Sequence, residues 1–318
     1  MGAIMSIPII FDTDPGVDDA QAIAIIMADP EIEVVGLTTT FGNVHIDTAT
    51  RNALLLSELA GHDIPVAQGA AAPLLKKPFP VPDWIHGADG LGNQELPEVT
   101  GRAVDKTAAE FIIDETRKRP GEITLVAVGP LGNLATALQL DPSVKDRVKQ
   151  VVIMGGSVAK GGNVTPVAEA NIFSDPHAAA RVLTAGWPLT MVGLDVTLKT
   201  VIEPERMKRI AARQGKLGPL LQHSYDFYAE FYRNAIQLDG CCPHDSVAVT
   251  WLRRPDLFKT QRGYLSVVTE GPAEGQTIFA AEDRPTPDQR WQQGGLVDVC
   301  VDVDGKAAVD WMESVLVS

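Results

Sequence analysis

Short β-branched runs alternate along the chain with longer amphipathic stretches, and this alternation restricts the fold more than any single motif does. Ile7–Phe11, Glu33–Thr39, Ile123–Val128, Val151–Met154 and Leu189–Leu194 read as buried strands. The first leads through the Pro15–Gly16 turn into a helix from about Asp18 to Ala28. The second leads to a helix over Asp47–Ala60, which Gly61 would stop. Strands separated by helices need crossover connections. The expected fold is therefore α/β, a mainly parallel central sheet with helices on both faces. No repeat or low-complexity segment interrupts the pattern, and residues 1–318 read as a single domain.

Two stretches depart from the rhythm. Residues 71–100 are rich in Pro and Gly and contain HGADGLGN, which reads as a loop over a site. Residues 216–236 form a helical pattern carrying Tyr225, Tyr228 and Tyr232, followed by a connector to Cys241–Asp245. Those tyrosines suit either core packing or the wall of a pocket.

The composition, 45% hydrophobic and 21% charged, is that of a soluble globular protein. A formal net charge of −14 repels phosphate backbones and anionic lipid, which leaves nucleic acid and membranes as poor partners. A small neutral ligand fits better. No apolar run approaches the ~20 residues of a membrane-spanning helix. The three cysteines, Cys241, Cys242 and Cys300, do not make a disulfide framework, which favours a reducing compartment. The opening MGAIMSIPIIFDTD reaches acidic residues too soon for a signal peptide, so a cytoplasmic location is expected.

The densest chemistry lies in FDTDPGVDD, where Asp12, Asp14, Asp18 and Asp19 follow the first strand. The carboxyl ends of strands are where open α/β sheets bind ligands. One Asp would cap the next helix and a second would suit its dipole, but capping does not account for four. Carboxylates this close repel unless a cation neutralises them or one holds a proton. All-oxygen ligands suit Ca²⁺ or Mg²⁺ rather than zinc, and the crowding leans towards calcium.

Further polar elements lie downstream. Pro243-His244-Asp245 opens an apolar helical run, Ser246–Leu252. Taken alone, Asp245 reads as a helix cap and His244 as structural. Cys241, Cys242 and His244 suggest zinc only weakly, because no second Cys/His cluster completes a tetrahedral set. Met154-Gly155-Gly156, Asn163, Glu169 and Asn171 supply groups suited to sugar hydroxyls, though each alone reads as a loop polar residue.

Taken together, these elements resemble the inosine–uridine-preferring nucleoside hydrolases. The resemblance runs from DTDPGVDDA through TTTFGN, HGADGLG, VAVGPLGNLA, VVIMGG, EANIFSDP and VGLDVT to PHDSVAV. It implies a homodimer or homotetramer that uses calcium to split ribonucleosides into base and ribose. By the same resemblance, Asp12, Asp14, Asp19, Asp245 and the Val128 carbonyl match the calcium ligands, and Asp14 the general base. Asp18 matches a ribose-binding carboxylate, and Asn43 a polar residue beside the reacting centre. Met154, Asn163, Glu169 and Asn171 match the ribose pocket, Asn163 and Glu169 near its 5′ end. His86 and His244 match residues near the base, with His244 expected to protonate the leaving group. Val128 stands where Thr is common, HGADG where HGESG is usual, and Ala170 where an aromatic is frequent. The Ser157–Gly162 loop carries an extra residue. These departures bear on base preference.

Two other functions open with similar features. A haloacid-dehalogenase-type phosphohydrolase also starts with a strand leading into DxD, but needs a cation for phosphate, and only Lys160 offers one in these motifs. A non-catalytic nucleoside-binding protein would not need Asp14 as a base.

Overall fold

The computed structural model describes residues 6–284 and 286–318. The reading of the amino terminus covered residues 1–14, of which 1–5 lie outside the described residues. Among the described residues nine strands form one sheet: β1 (Ile7–Thr13), β2 (Ile32–Thr39), β3 (Val66–Gln68), β4 (Thr124–Ala127), β5 (Gln150–Met154), β6 (Leu189–Val192), β7 (Phe258–Val267), β8 (Thr277–Ala281) and β9 (Val297–Val303). Their order is β3-β2-β1-β4-β5-β6-β9-β7-β8. Every neighbouring pair is parallel except β7 with β9 and β7 with β8. The expected α/β sheet is present, with three strands at its carboxyl-terminal edge that the sequence pattern did not reveal.

Alternation along β1 sends its side chains into two cores. Ile9 and Phe11 join the apolar faces of the helices Val17–Ala28, Gly218–Ile236 and His244–Arg253. Ile10 packs on the other face with the helices Ala108–Lys118, Gly132–Leu140 and Pro176–Leu183. Both faces are therefore covered, which is why these strands read as continuous apolar runs. Gly61 ends the helix Ile46–Ala60 in the left-handed conformation (φ 80°), and its N–H bonds back to Ser57 and Glu58. The run from Leu189 stops being a strand at Val192. Gly193 then opens a short helix, Leu194–Thr197.

β1 lies between β2 and β4, so the chain leaves it on one side and returns on the other. This reversal opens a crevice beyond the carboxyl ends of β1 and β4. Backbone bonds continue past the strand ends there, from Val128 N to Asp12 O (2.8 Å) and from Thr40 N to Thr13 O (3.0 Å). Among the described residues no helix is long and apolar enough to cross a membrane.

Ile23 is fully buried where the helix Val17–Ala28 meets the sheet. Ile23→Ala should lower unfolding stability by about 2–5 kcal/mol, measured by urea denaturation. A loss under about 1 kcal/mol would mean that this helix is not anchored through its apolar face.

Candidate active site

The turn after β1 is built around Asp19. Gly16 precedes the helix Val17–Ala28 and has no side chain to cap it. Asp19 reaches back to accept from Gly16 N (2.9 Å), Asp14 N (3.2 Å), the Thr13 hydroxyl and Asn43 Nδ2 (3.0 Å). Asp14 accepts from Asn43 N through Oδ2 (2.7 Å). Gly42 and Gly129 flank it so closely that a Cβ on either would collide with its carboxylate. Asp12 uses Oδ2 on Thr38 Oγ1 (2.5 Å) and Asn133 Nδ2 (2.7 Å). Each of these donors is a neutral hydroxyl or amide.

Three oxygens are left over. Asp12 Oδ1, Asp14 Oδ1 and Asp18 Oδ1 are buried without a hydrogen-bond partner. Asp18, Asp19 and Asp245, from helices far apart in the chain, bring one oxygen each within 4.8 Å of one another. Burial, reinforced by neighbouring carboxylates, raises the pKa values of Asp14, Asp18 and Asp245 well above the usual range. Burial alone lifts Asp12 to about 7 against its two hydrogen bonds. An all-oxygen, anionic set with free buried oxygens is what a hard divalent cation requires. Thr38 and Asn133 occupy Oδ2 of Asp12 and Asn43 N occupies Oδ2 of Asp14, so each keeps only Oδ1, while both oxygens of Asp19 already accept hydrogen bonds.

The expected sugar-side residues line the next strand ends. Asn171 donates from Nδ2 to Val128 O (2.7 Å) and Met154 O (3.1 Å), which leaves its Oδ1 as an acceptor. The Glu169 carboxylate accepts from Gly156, Asn171 and Ile172 amides at 2.8–3.1 Å. Asn163 is exposed at the rim and caps Ala170 N (3.0 Å).

On the opposite side, His86 Nδ1 accepts from Val17 N (3.2 Å), so its proton sits on Nε2. Burial, with the nearby His244, pushes its pKa down to about 3. His244 is held between Thr197 Oγ1 at Nδ1 (2.7 Å) and Tyr232 OH at Nε2 (2.8 Å), and burial lowers it to about 4. Tyr228 lies 5.5 Å from His86, ring to ring, and its hydroxyl is 3.5 Å from that of Tyr232. Two of the three tyrosines thus join the pocket wall, while Tyr225 bonds to Ile202 O (2.8 Å) within the core. Cys241 and Cys242 are free, buried thiols whose pKa values burial raises, Cys242 to about 11. Among the described residues the one metal-capable cluster is the aspartate trio, so the zinc alternative finds no site. Lys160, the cation a phosphate-handling site would need, is exposed on the rim loop.

Thr13, Thr38, Asn133 and Thr197 also belong to the site, though no sequence motif singles them out. Asn133 and Thr197 stand inside the stretches GPLGNLA and GLDVT, as polar residues with no exposed surface to serve. Nothing in the local sequence marks either of them, because their partners lie far away in the chain.

The family model described as "Inosine-uridine preferring nucleoside hydrolase" matches residues 9–310. The chain belongs to that family. This nucleoside hydrolase is therefore an N-glycosidase of a metal-dependent family. It is 42% identical to a probable uridine nucleosidase 2 of Arabidopsis thaliana, over 95% of this chain and 94% of the relative. A plant nucleoside hydrolase structure superposes with a TM-score of 0.93 at 37% identity, covering 98% of this chain and 99% of that one. A purine-preferring ribonucleoside hydrolase from Gardnerella vaginalis gives 0.90 at 36% identity, covering 98% of both chains.

The raised carboxylate pKa values make the metal-free hydrolase sensitive to alkali. The native cluster holds protons that the unfolded chain has released, so this contribution to stability is lost as pH rises through the folded-state values. His86 and His244, kept neutral by burial, oppose it only below about pH 6.5, where unfolded histidines charge. In chelator, the melting temperature should fall from about pH 6.5 to about pH 8.5, less steeply in Asp18→Asn. A flat or rising curve would contradict these environments.

Proposed function

We propose that this chain is a calcium-dependent hydrolase that cuts the N-glycosidic bond of ribonucleosides to release free base and ribose. The observation that carries this reading is the set of buried, unpartnered carboxylate oxygens beside the Asp18–Asp19–Asp245 cluster. Asp14, Asp19, Asp245 and the Val128 carbonyl would hold the ion, with Asp12 Oδ1 the one further oxygen of the expected set. Bound calcium would neutralise the cluster, make a water more acidic and help to orient the ribose.

Asp14 serves as the general base. Its Oδ2 is fixed by Asn43 N, while Oδ1 has no partner in the protein and is placed to take a proton. Asp18 offers its unpartnered Oδ1 to a ribose hydroxyl. Asn171 Oδ1, Glu169, Asn163 and Met154 bound the rest of the sugar. The carboxylates then stabilise the positive charge that develops on the ribose ring. His86 presents an Nε2–H donor to the base. His244 would pass a proton to the leaving group through the Tyr232 hydroxyl to which its Nε2 is bonded.

Among the described residues no lysine or arginine pairs with the cluster carboxylates, which weighs against the phosphohydrolase alternative. The names of the similar proteins include a uridine nucleosidase and a purine-preferring hydrolase, so the base pocket, not the acidic cluster, would set preference. The same reading places the protein in nucleoside salvage and catabolism in the cytoplasm, as a homodimer or homotetramer. It rests on the family and on the cysteine usage.

A reducing-sugar assay tests the mechanism on uridine, inosine and a nitrophenyl riboside. Chelator should abolish turnover and Ca²⁺ should restore it; full activity in exhaustively chelated protein would defeat the metal reading. Asp14→Asn should lose about 10²–10⁴-fold on every substrate while remaining folded. His244→Ala should lose about as much on the natural nucleosides yet little on the activated riboside. Equal losses on both would assign His244 a structural role.

A further inference from the structure

Between β5 and the helix Ala170–Ser174 the chain runs out to the rim of the crevice and returns. Ala159 and Lys160 are exposed there, and two glycines, Gly161 and Gly162, follow. The amides of such a loop ordinarily bond to water. Here five consecutive amides are held by side chains of distant residues. Gly156 N donates to Glu169 Oε2 (2.8 Å) and Ser157 N to Thr277 Oγ1 (2.9 Å). Val158 N (2.8 Å), Ala159 N (2.8 Å) and Lys160 N (3.1 Å) all donate to the buried Asp195 carboxylate. Thr277 also donates back to Ser157 O (2.6 Å). Beyond the glycines, Asn163 caps Ala170 N beside Glu169, which closes the loop on the sugar side.

Asp195 belongs to the one-turn helix Leu194–Thr197, whose Thr197 meets His244. A single turn after β6 thus fixes the rim loop at one end and the base-side histidine at the other. Three backbone amides held on one buried carboxylate leave the loop little freedom.

We infer that Asp195 is a positioning residue that sets the wall meeting the 5′ end of the ribose. This rests on the proposed reading in which Asn163 and Glu169 face that end. Asp195→Asn keeps the shape but turns one acceptor oxygen into an NH₂ group, which cannot accept from a backbone N–H. At least one of the three amides is then released.

The test compares uridine and inosine with their 5′-deoxy counterparts, in calcium-loaded wild type, Asp195→Asn and Thr277→Val, with folding checked by thermal melting. Asp195→Asn should lower kcat/KM on the natural nucleosides by up to about 10²-fold, mainly through KM. On the 5′-deoxy substrates it should change by less than about threefold, because the contact being spoiled is already absent. Thr277→Val loosens the same loop with Asp195 intact and should show the same selectivity more weakly. It decides the matter if Asp195→Asn fails to fold. Equal losses on both substrate classes, or wild-type discrimination retained in the variants, would overturn the inference. Wild type inactive on all four would instead overturn the proposed function on which it rests.

Discussion

Five aspartates share one buried crevice, and their mutual repulsion is the constraint around which the surrounding structure is arranged. Like charges in a region sheltered from water cannot all ionise without compensation. The chain meets this in different ways at different positions. Asp19 is surrounded by four neutral donors, which favour its charged form. Asp12 is held at one oxygen by Thr38 and Asn133. Asp14 and Asp18 are left short of partners, as is one oxygen of Asp12. That shortfall is what makes the crevice a receptor for a cation and a source of proton affinity.

The sheet supplies the geometry for this arrangement. Asn133, in the helix after β4, spans the point where the strand order reverses. It donates to Asp12 and to Thr39 O (2.9 Å) and accepts from Ala70 N (2.8 Å). One carboxamide thus ties together the segments around β1, β2, β3 and β4. Its polar atoms are all occupied, so it adds rigidity without leaving an unpaired group behind. The two histidines across the crevice are neutral, and the electrostatics of the pocket are consequently those of the carboxylates.

Much of this was legible in the sequence, and the remainder was hidden for physical reasons. The acidic turn announced itself because four carboxylates exceed what helix capping needs. The inner strands were legible because burial on both faces makes them apolar throughout. β7 was not, since Lys259–Arg262 are exposed although the strand lies between β9 and β8, and its composition is mixed. β3 has three residues, too few for a pattern. At the site, Asp245 and Glu169 were picked out by the family resemblance, whereas nothing in their local sequence marked Asn133, Thr197 or Asp195. Their importance comes from partners far away in the chain, which spacing along the sequence cannot show. Glu169 was expected to serve sugar and is also a backbone clamp.

The acidic turn and its partners are made at very different times. During synthesis, residues 12–19 emerge early, but Asn133 follows 121 positions after Asp12, and Asp245 later still. A nascent chain holding the turn alone keeps its carboxylates hydrated, because nothing yet forces them together. Their repulsion becomes strong when the far helix docks and water is expelled. Pairings of such long sequence separation are slow to form. The completed crevice is therefore a late event in folding, and a cation waiting in solution would act as the final piece that locks an already assembled sheet.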